Sequence, residues 1–373
     1  MRLSAYPAPP PSSVHGGDYV EHKLLLGTHV DTDATGSSDR NYLMIATVRL
    51  PSPDAELKVS AYDEERGELG GYGGSLAKFD VAVRINHPTE VHRARYCPSN
   101  PFLIATKTAG PDVLIFDYSR HPTRPVDNRV TPLLRLAGHA KEGYGLAWST
   151  VAKGHLLSGS DDGRVCCWDV AGGAAAASKG KVGAVDASGA GAGASCGSGS
   201  GTGSGSGSGS GSGASALAPL FTFSAHGGEV IEDVAWHGSH GSLFGSASDD
   251  GTVRLWDTRA LGAAATPTGT IKGAHVGNAM ALSFHPTKEF LVASGGTDKV
   301  VRLWDARTLG KPLHTLAWHE DDVLGIAWCP FSESHLVSSG ADRRVIIWDT
   351  SRIGKELDAE DAEDGPPELL VRG

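Results

Sequence analysis

The chain has 373 residues, 40% of them hydrophobic and 20% charged, with 50 glycines and a formal net charge of −10 at pH 7. That length suits one large all-β domain as well as two smaller units, and the composition excludes a fibrous protein. The negative balance argues against a nucleic-acid backbone as direct ligand, because that needs clustered Lys and Arg, and it favours a basic protein partner.

Residues 1–20 (MRLSAYPAPPPSSVHGGDYV) place prolines where an export signal needs an apolar helical stretch. They read as a disordered Pro-rich leader on a protein that stays inside the cell. The longest apolar runs, such as Leu24-Leu25-Leu26 and Val345 to Trp348, fall far short of the roughly 20 residues of a membrane span. Residues 21–371 are expected to form one propeller domain, opening with a degenerate blade from His22 to Leu50.

From His87 onward a unit repeats in which a His precedes an aromatic-Asp pair by 30, 30, 31, 30 and 30 residues. The pairs are His87/Asp117, His139/Asp169, His226/Asp257, His275/Asp305 and His319/Asp349, and the preceding aromatics are Phe116, Trp168, Trp256, Trp304 and Trp348. A second aromatic register follows each His, at Tyr96, Trp148, Trp236, Phe284 and Trp328. Between them, β-rich runs such as GHLLSGS and GRVCCWD flank Asp162-Gly163 and Asp250-Gly251, which is hairpin chemistry because both central positions need positive φ. Short strands in units of 40 to 50 residues, each ending in Trp-Asp, predict an all-β WD-repeat propeller. With the degenerate blade, six blades are visible.

Residues 171–216 break the pattern with Ala, Gly and Ser and read as a flexible loop between blades. Lengthening a connection from about ten to about 46 residues costs only roughly 1.4 kcal/mol of closure entropy. The five cysteines match neither a disulfide framework nor a zinc site and read as reduced core thiols. Neither a nucleophile elbow nor a phosphate-binding loop nor a zinc-protease motif occurs, so no enzyme activity, metal or cofactor is expected. Groups such as His139, Ser158, Asp162 and Trp168 recur blade after blade, which points to a buried supporting network rather than to a catalytic site.

Two features do not simply maintain the repeat. The acidic run 355–370, KELDAEDAEDGPPELL, carries seven acids before Leu369-Leu370 and reads equally as a solvated loop or as the wall of a groove. Acids after the blade-start histidines, Glu90, Glu142, Glu232 and Asp322, should gather round one mouth of the central channel and attract a Lys/Arg-rich segment.

The segments HKLLLGTH, YDEERGELGGYG, EVHRARYCPSNPFLIATKT, DVLIFDYSRHP, GHAKEGYGLAWS and DAEDGPPELL lie outside the generic repeat. Through them the chain closely resembles the histone-binding WD-repeat proteins of the retinoblastoma-binding p46/p48 (MSI1-like) type, from about Glu21 to Leu370. The resemblance implies a nuclear subunit that binds core histones within chromatin assembly, deacetylase, remodelling or Polycomb-type complexes, with no sequence-specific nucleic-acid binding and no membrane. It places a groove for a histone helix at Glu360, Asp361, Glu363, Asp364, Leu369 and Leu370. It places tail binding on the acidic disc face at Glu90, Arg93, Glu142, Tyr144, Glu232 and Asp322, where His92, Met280 and Leu324 depart from the family pattern. Such relatives begin with a long helix and end with a seventh blade, so the chain is expected to be truncated at both ends. An alternative, a substrate receptor of a cullin-type ubiquitin ligase, rests on the WDxR endings at Arg259 and Arg307.

Overall fold

The computed structural model describes residues 2–4, 19–29, 40–51, 62–63, 68–69, 79–173, 215–260, 266–356 and 365–372. Among the described residues, six sheets of four or five mostly antiparallel strands follow one another in chain order as blades running from an inner to an outer strand, and a separate two-stranded ribbon pairs Tyr62–Asp63 with Glu68–Leu69. Blade 1 comprises Arg2–Ser4, Tyr19–Gly27, Tyr42–Pro51 and Phe79–Asn86. Blade 2 comprises Val91–Cys97, Asn100–Thr108, Val113–Asp117 and Leu134–Leu136, and blade 3 comprises Leu146–Trp148, His155–Gly159, Arg164–Asp169 and Phe221–Ser224. In blade 4 the strands are Ile231–Trp236, Leu243–Ser248, Val253–Asp257 and Gly269–Ile271, and in blade 5 Ala279–Phe284, Leu291–Gly296, Val300–Asp305 and His314–Ala317. Blade 6 ends the series with Val323–Trp328, His335–Gly340, Val345–Asp349 and Leu369–Arg372. Successive inner strands pack side by side, which makes the six-blade propeller arrangement expected from the repeat.

The core lies in the seams between blades. One cluster joins Ile115 and Leu134 of blade 2 to Trp148 and Trp168 of blade 3, a second joins Leu157 and Val165 of blade 3 to Trp236 and Trp256 of blade 4, and a third joins Ala293 and Leu303 of blade 5 to Trp328 and Trp348 of blade 6. The two aromatic registers thus have distinct work. The Trp before each Asp is buried within its blade, whereas the inner-strand Trp reaches back to the previous blade. Trp148 Nε1 donates to the Arg95 carbonyl (3.0 Å), Trp236 to Ala147 (3.2 Å) and Trp328 to Ser283 (3.3 Å).

The recurring His, Ser and Asp form the expected network. In blade 5, His275 Nδ1–H donates to Asp298 (2.7 Å), Ser294 donates to His275 Nε2 (2.7 Å), and Trp304 Nε1 donates to Ser294 (2.8 Å). Blade 4 repeats this with His226, Asp250, Ser246 and Trp256, and blade 6 with His319, Asp342, Ser338 and Trp348. Every buried polar atom of such a chain has its partner, so the turn is fixed to the sheet. Among the blades that carry a Trp-Asp pair, blade 3 is the exception: His139 bonds Ser158 (3.0 Å) and Asp162 (3.3 Å), but the buried Trp168 Nε1 finds no partner among the described residues. Trp304→Phe is therefore expected to cost about 1–2 kcal/mol more than Trp168→Phe, because the former removes a buried hydrogen bond to Ser294 whereas the latter removes an indole N–H that makes none among the described residues. Denaturant melts of the two variants measure the difference.

Two boundaries differ from the sequence reading. The insertion falls inside blade 3, between its third strand and its outer strand, rather than between blades. The reason is an offset of one strand: repeats end at Trp-Asp, but the outer strand that completes a blade follows that pair. The end of the insertion, Ser215–Leu217, runs parallel to Leu134–Leu136 and adds a fifth strand to blade 2 before the chain returns to blade 3. At the other end, Arg2–Ser4 of the expected leader pairs with Leu25–Gly27, and Tyr19 already belongs to the next strand, so the leader is not wholly outside the propeller.

Candidate functional site

The channel mouth at the blade-start histidines is built by one recurring irregularity. Inner strands pair regularly with their neighbours until a β-bulge, which falls between Val91 and Arg93, Ile231 and Asp233, Ala279 and Ala281, and Val323 and Gly325. The extra residue in each case stands four positions before the inner-strand aromatic: His92, Glu232, Met280 and Leu324. A bulge leaves one residue out of the ladder and re-aims its side chain. In blade 3, whose inner strand begins only at Leu146, Tyr144 holds the same place. Two positions earlier stand Glu90, Glu142 and Asp322. The tail residues expected from the sequence, Arg93 excepted, thus occupy two registers on one rim.

Arg93 is already engaged within the protein. One position past the bulge it turns into the channel, with its side chain 15% exposed, and forms an ion pair with the 11%-exposed Asp233 of blade 4. The other oxygen of Asp233 accepts from the Leu282 amide of blade 5 (3.1 Å). Arg93 is therefore a brace between nonadjacent blades. Its partner Asp233 is a carboxylate that the sequence reading did not single out.

The remaining rim residues form two groups. In one, Glu90 accepts from His92 Nε2 (2.7 Å) through one oxygen and from His29 Nδ1 through the other, and the His92 ring lies on Tyr144 with centroids 4.7 Å apart and planes 12° apart. Glu142 comes within 3.9 Å of the same His92 nitrogen. In the other, Glu232 faces Asp249 and Asp161. Burial first, then these neighbouring carboxylates, push the Glu232 carboxyl up to about 7, and burial likewise raises Asp249. One Asp249 oxygen is buried without a hydrogen-bond donor among the described residues. Asp322 lies half-buried in blade 6, its carbonyl accepting from the Ala341 amide (2.8 Å).

A cation also lies beneath the acids. Gly159 and Gly295 stand one position past the network Ser, and a Cβ there would come within 2.5 Å of Ile231 and 2.6 Å of Val323 respectively. Blade 2 has Lys107 in that place, while the residue corresponding to Ile231 and Val323, five before the inner-strand Trp, is Gly143. Bulk has changed sides across the seam. Lys107 is fully buried, and its Nζ has no partner among the described residues. Burial lowers its pKa to about 8 against the raising influence of Cys166, Asp162, Asp161 and Glu142.

Of the groove residues, Glu360, Asp361, Glu363 and Asp364 lie outside the described residues. Leu369 and Leu370 begin the outer strand of blade 6, where Leu369 pairs with Trp348 and packs against the core of that seam. Neighbouring Glu368 is buried and accepts from His314 Nε2 (2.9 Å). The WDxR arginines are engaged at home: Arg259 bonds Asp257 and Arg307 bonds Asp305, each through two nitrogens, and Arg307 also lies over Phe290 at 4.4 Å. The described cysteines are free thiols; Cys97, Cys166 and Cys167 are buried, and burial raises Cys166 to about 11 and Cys167 to about 12. No helix among the described residues is long and apolar enough to cross a membrane.

Repeated blades whose internal polar groups maintain the fold, with a rim of carboxylates at one mouth, define a propeller scaffold for protein interaction. Four stretches, residues 130–169, 217–257, 265–305 and 310–349, match the profile of the WD domain, G-beta repeat. The chain is a WD-repeat β-propeller, and the matched stretches end on the Trp-Asp pairs of blades 3 to 6.

Proposed function

We propose that this protein is a histone-binding scaffold subunit of nuclear chromatin complexes of the assembly, deacetylase, remodelling or Polycomb type. The observation that carries the reading is the group Glu232, Asp249 and Asp161 gathered on the rim, where burial first and then the neighbouring carboxylates hold Glu232 near 7. Such crowding is unfavourable in the free protein and is relieved when a Lys or Arg enters. A basic histone tail supplies that charge, and the net charge of −10 favours its approach. The acidic Pro-Pro run would add a second contact for a histone helix at Asp361 and Asp364.

The test separates the two surfaces. Glu232→Gln is expected to raise stability while weakening binding of a core-histone tail peptide roughly tenfold, since it removes both the repulsion and a charged partner. Asp361→Lys with Asp364→Lys should instead weaken binding of the folded histone pair and leave the tail peptide unaffected. Calorimetric titration reads both. Unchanged tail binding in Glu232→Gln would remove the face reading, and unchanged histone-pair binding in the double variant would remove the groove.

A further inference from the structure

Of the bulged rim residues, His92 alone is withdrawn from solvent: its side chain is 3% exposed, whereas Glu232 and Met280 are partly exposed and Leu324 is exposed. It is held on three sides. Its ring lies flat on Tyr144, its Nε2–H donates to Glu90 at 2.7 Å, and Glu142 stands 3.9 Å from the same nitrogen. Its other nitrogen is buried without a partner among the described residues. A position that elsewhere on the rim points a side chain towards the channel mouth here folds a donor back onto the two carboxylates beside it. The remaining oxygen of Glu90 is taken by His29, whose side chain is 64% exposed and so free to swing away. The other titratable group acting on His92 is His87, itself held neutral by burial.

We propose that His92 is an internal competitor for the basic segment: it occupies Glu90 in the free protein, with Glu142 alongside, so Glu90 contributes to binding only when His92 is displaced. The inference rests on the proposed acidic-face function and assigns affinity control within that face to one residue. It follows that the sector around Glu232, Asp249 and Asp161, where no His side chain among the described residues is bonded to any of the three carboxylates, is where the free protein leaves acidic groups gathered for an arriving cation. An arriving ammonium or guanidinium at Glu90 must exchange with a hydrogen bond already made, so the gain there is a difference between two bonds rather than a whole one.

The experiment is a double-mutant cycle on the full chain, titrated with a fluorescent Lys/Arg-rich peptide corresponding to a histone amino-terminal tail. His92→Phe keeps a ring against Tyr144 but removes the donor, and His92→Gln keeps a donor. We expect His92→Phe to bind roughly tenfold more tightly, as for one freed charged hydrogen-bond acceptor, and His92→Gln to bind as the wild type does. Glu90→Gln should change wild-type binding less than twofold but abolish the gain in the His92→Phe background. Equal effects of Glu90→Gln in both backgrounds, or no gain in His92→Phe, would overturn the proposal while leaving face binding intact. A peptide that binds none of the folded forms would overturn the face reading and this proposal together. If His92→Phe lowers the melting temperature, the comparison of Glu90→Gln in the wild-type and His92→Gln backgrounds still decides, because both must then show the same small loss.

Discussion

Asp233→Ala is expected to destabilise the protein by about 3–5 kcal/mol, the cost of breaking a buried ion pair from one side. The substitution leaves the Arg93 guanidinium 15% exposed in the channel with its partner gone and takes the acceptor from the Leu282 amide. Arg93→Met combined with Asp233→Leu should recover most of that loss, because it removes both charges and fills the space with apolar side chains. Urea midpoints of the three proteins test this. A loss under about 1 kcal/mol in the single variant would mean that the brace is solvated and carries no weight.

The second large effect is acid lability. Burial lowers His87 from 6.5 to about 4, and it also lowers His139, His226, His237 and His285. The unfolded chain takes up these protons first as pH falls, so the stability is fully present above about 6.5 and declines towards 4. For His87 alone the shift corresponds to about 3 kcal/mol. Below that window the network carboxylates continue the trend, since Asp162, at about 2, and also Asp250, Asp298 and Asp342 sit below their ordinary range through bonds from their His partners and neighbouring backbone amides. Urea midpoints between pH 7.5 and 4.5 should fall steeply, and His87→Phe should flatten the slope. A midpoint constant across that range would refute the neutral buried histidines.

What was legible beforehand was whatever repeats. The spacing of His139 to Asp169 and its counterparts sufficed to predict the blades, the supporting network and two aromatic registers, because each copy must meet the same packing demand. Legibility failed where one blade departs from the others or where register is shifted by a residue. Arg93 was placed on the face through the family resemblance, which carries no information about the ion pair that it makes with Asp233. Asp233 was missed because nothing local marks a carboxylate whose partner is 140 residues away. The insertion was assigned between blades because the sequence motif and the sheet are out of step by one strand. Lys107 could have been found, since a Lys where its repeats carry Gly159 and Gly295, matched by a Gly where they carry Ile231 and Val323, is visible when the units are aligned.

The unequal completion of the His-Ser-Trp networks has a consequence for how the ring opens. In a repeat array, stability is nearly a sum over units and their nearest-neighbour seams, so cooperativity fails first at the poorest unit. Blades 4, 5 and 6 each close their network through Trp to Ser at 2.8 Å, while the seam of blades 2 and 3 contains both an unpartnered indole and an unpartnered ammonium. Sub-global unfolding is thus polarised: amide protons in Leu146–Trp148 and His155–Gly159 exchange before those in Leu243–Ser248 or Leu291–Gly296, and the ring behaves as a rigid arc of three blades with a softer flank. The long insertion interrupts that softer flank, where a lengthened connection perturbs the least cooperative unit and leaves the rigid arc untouched.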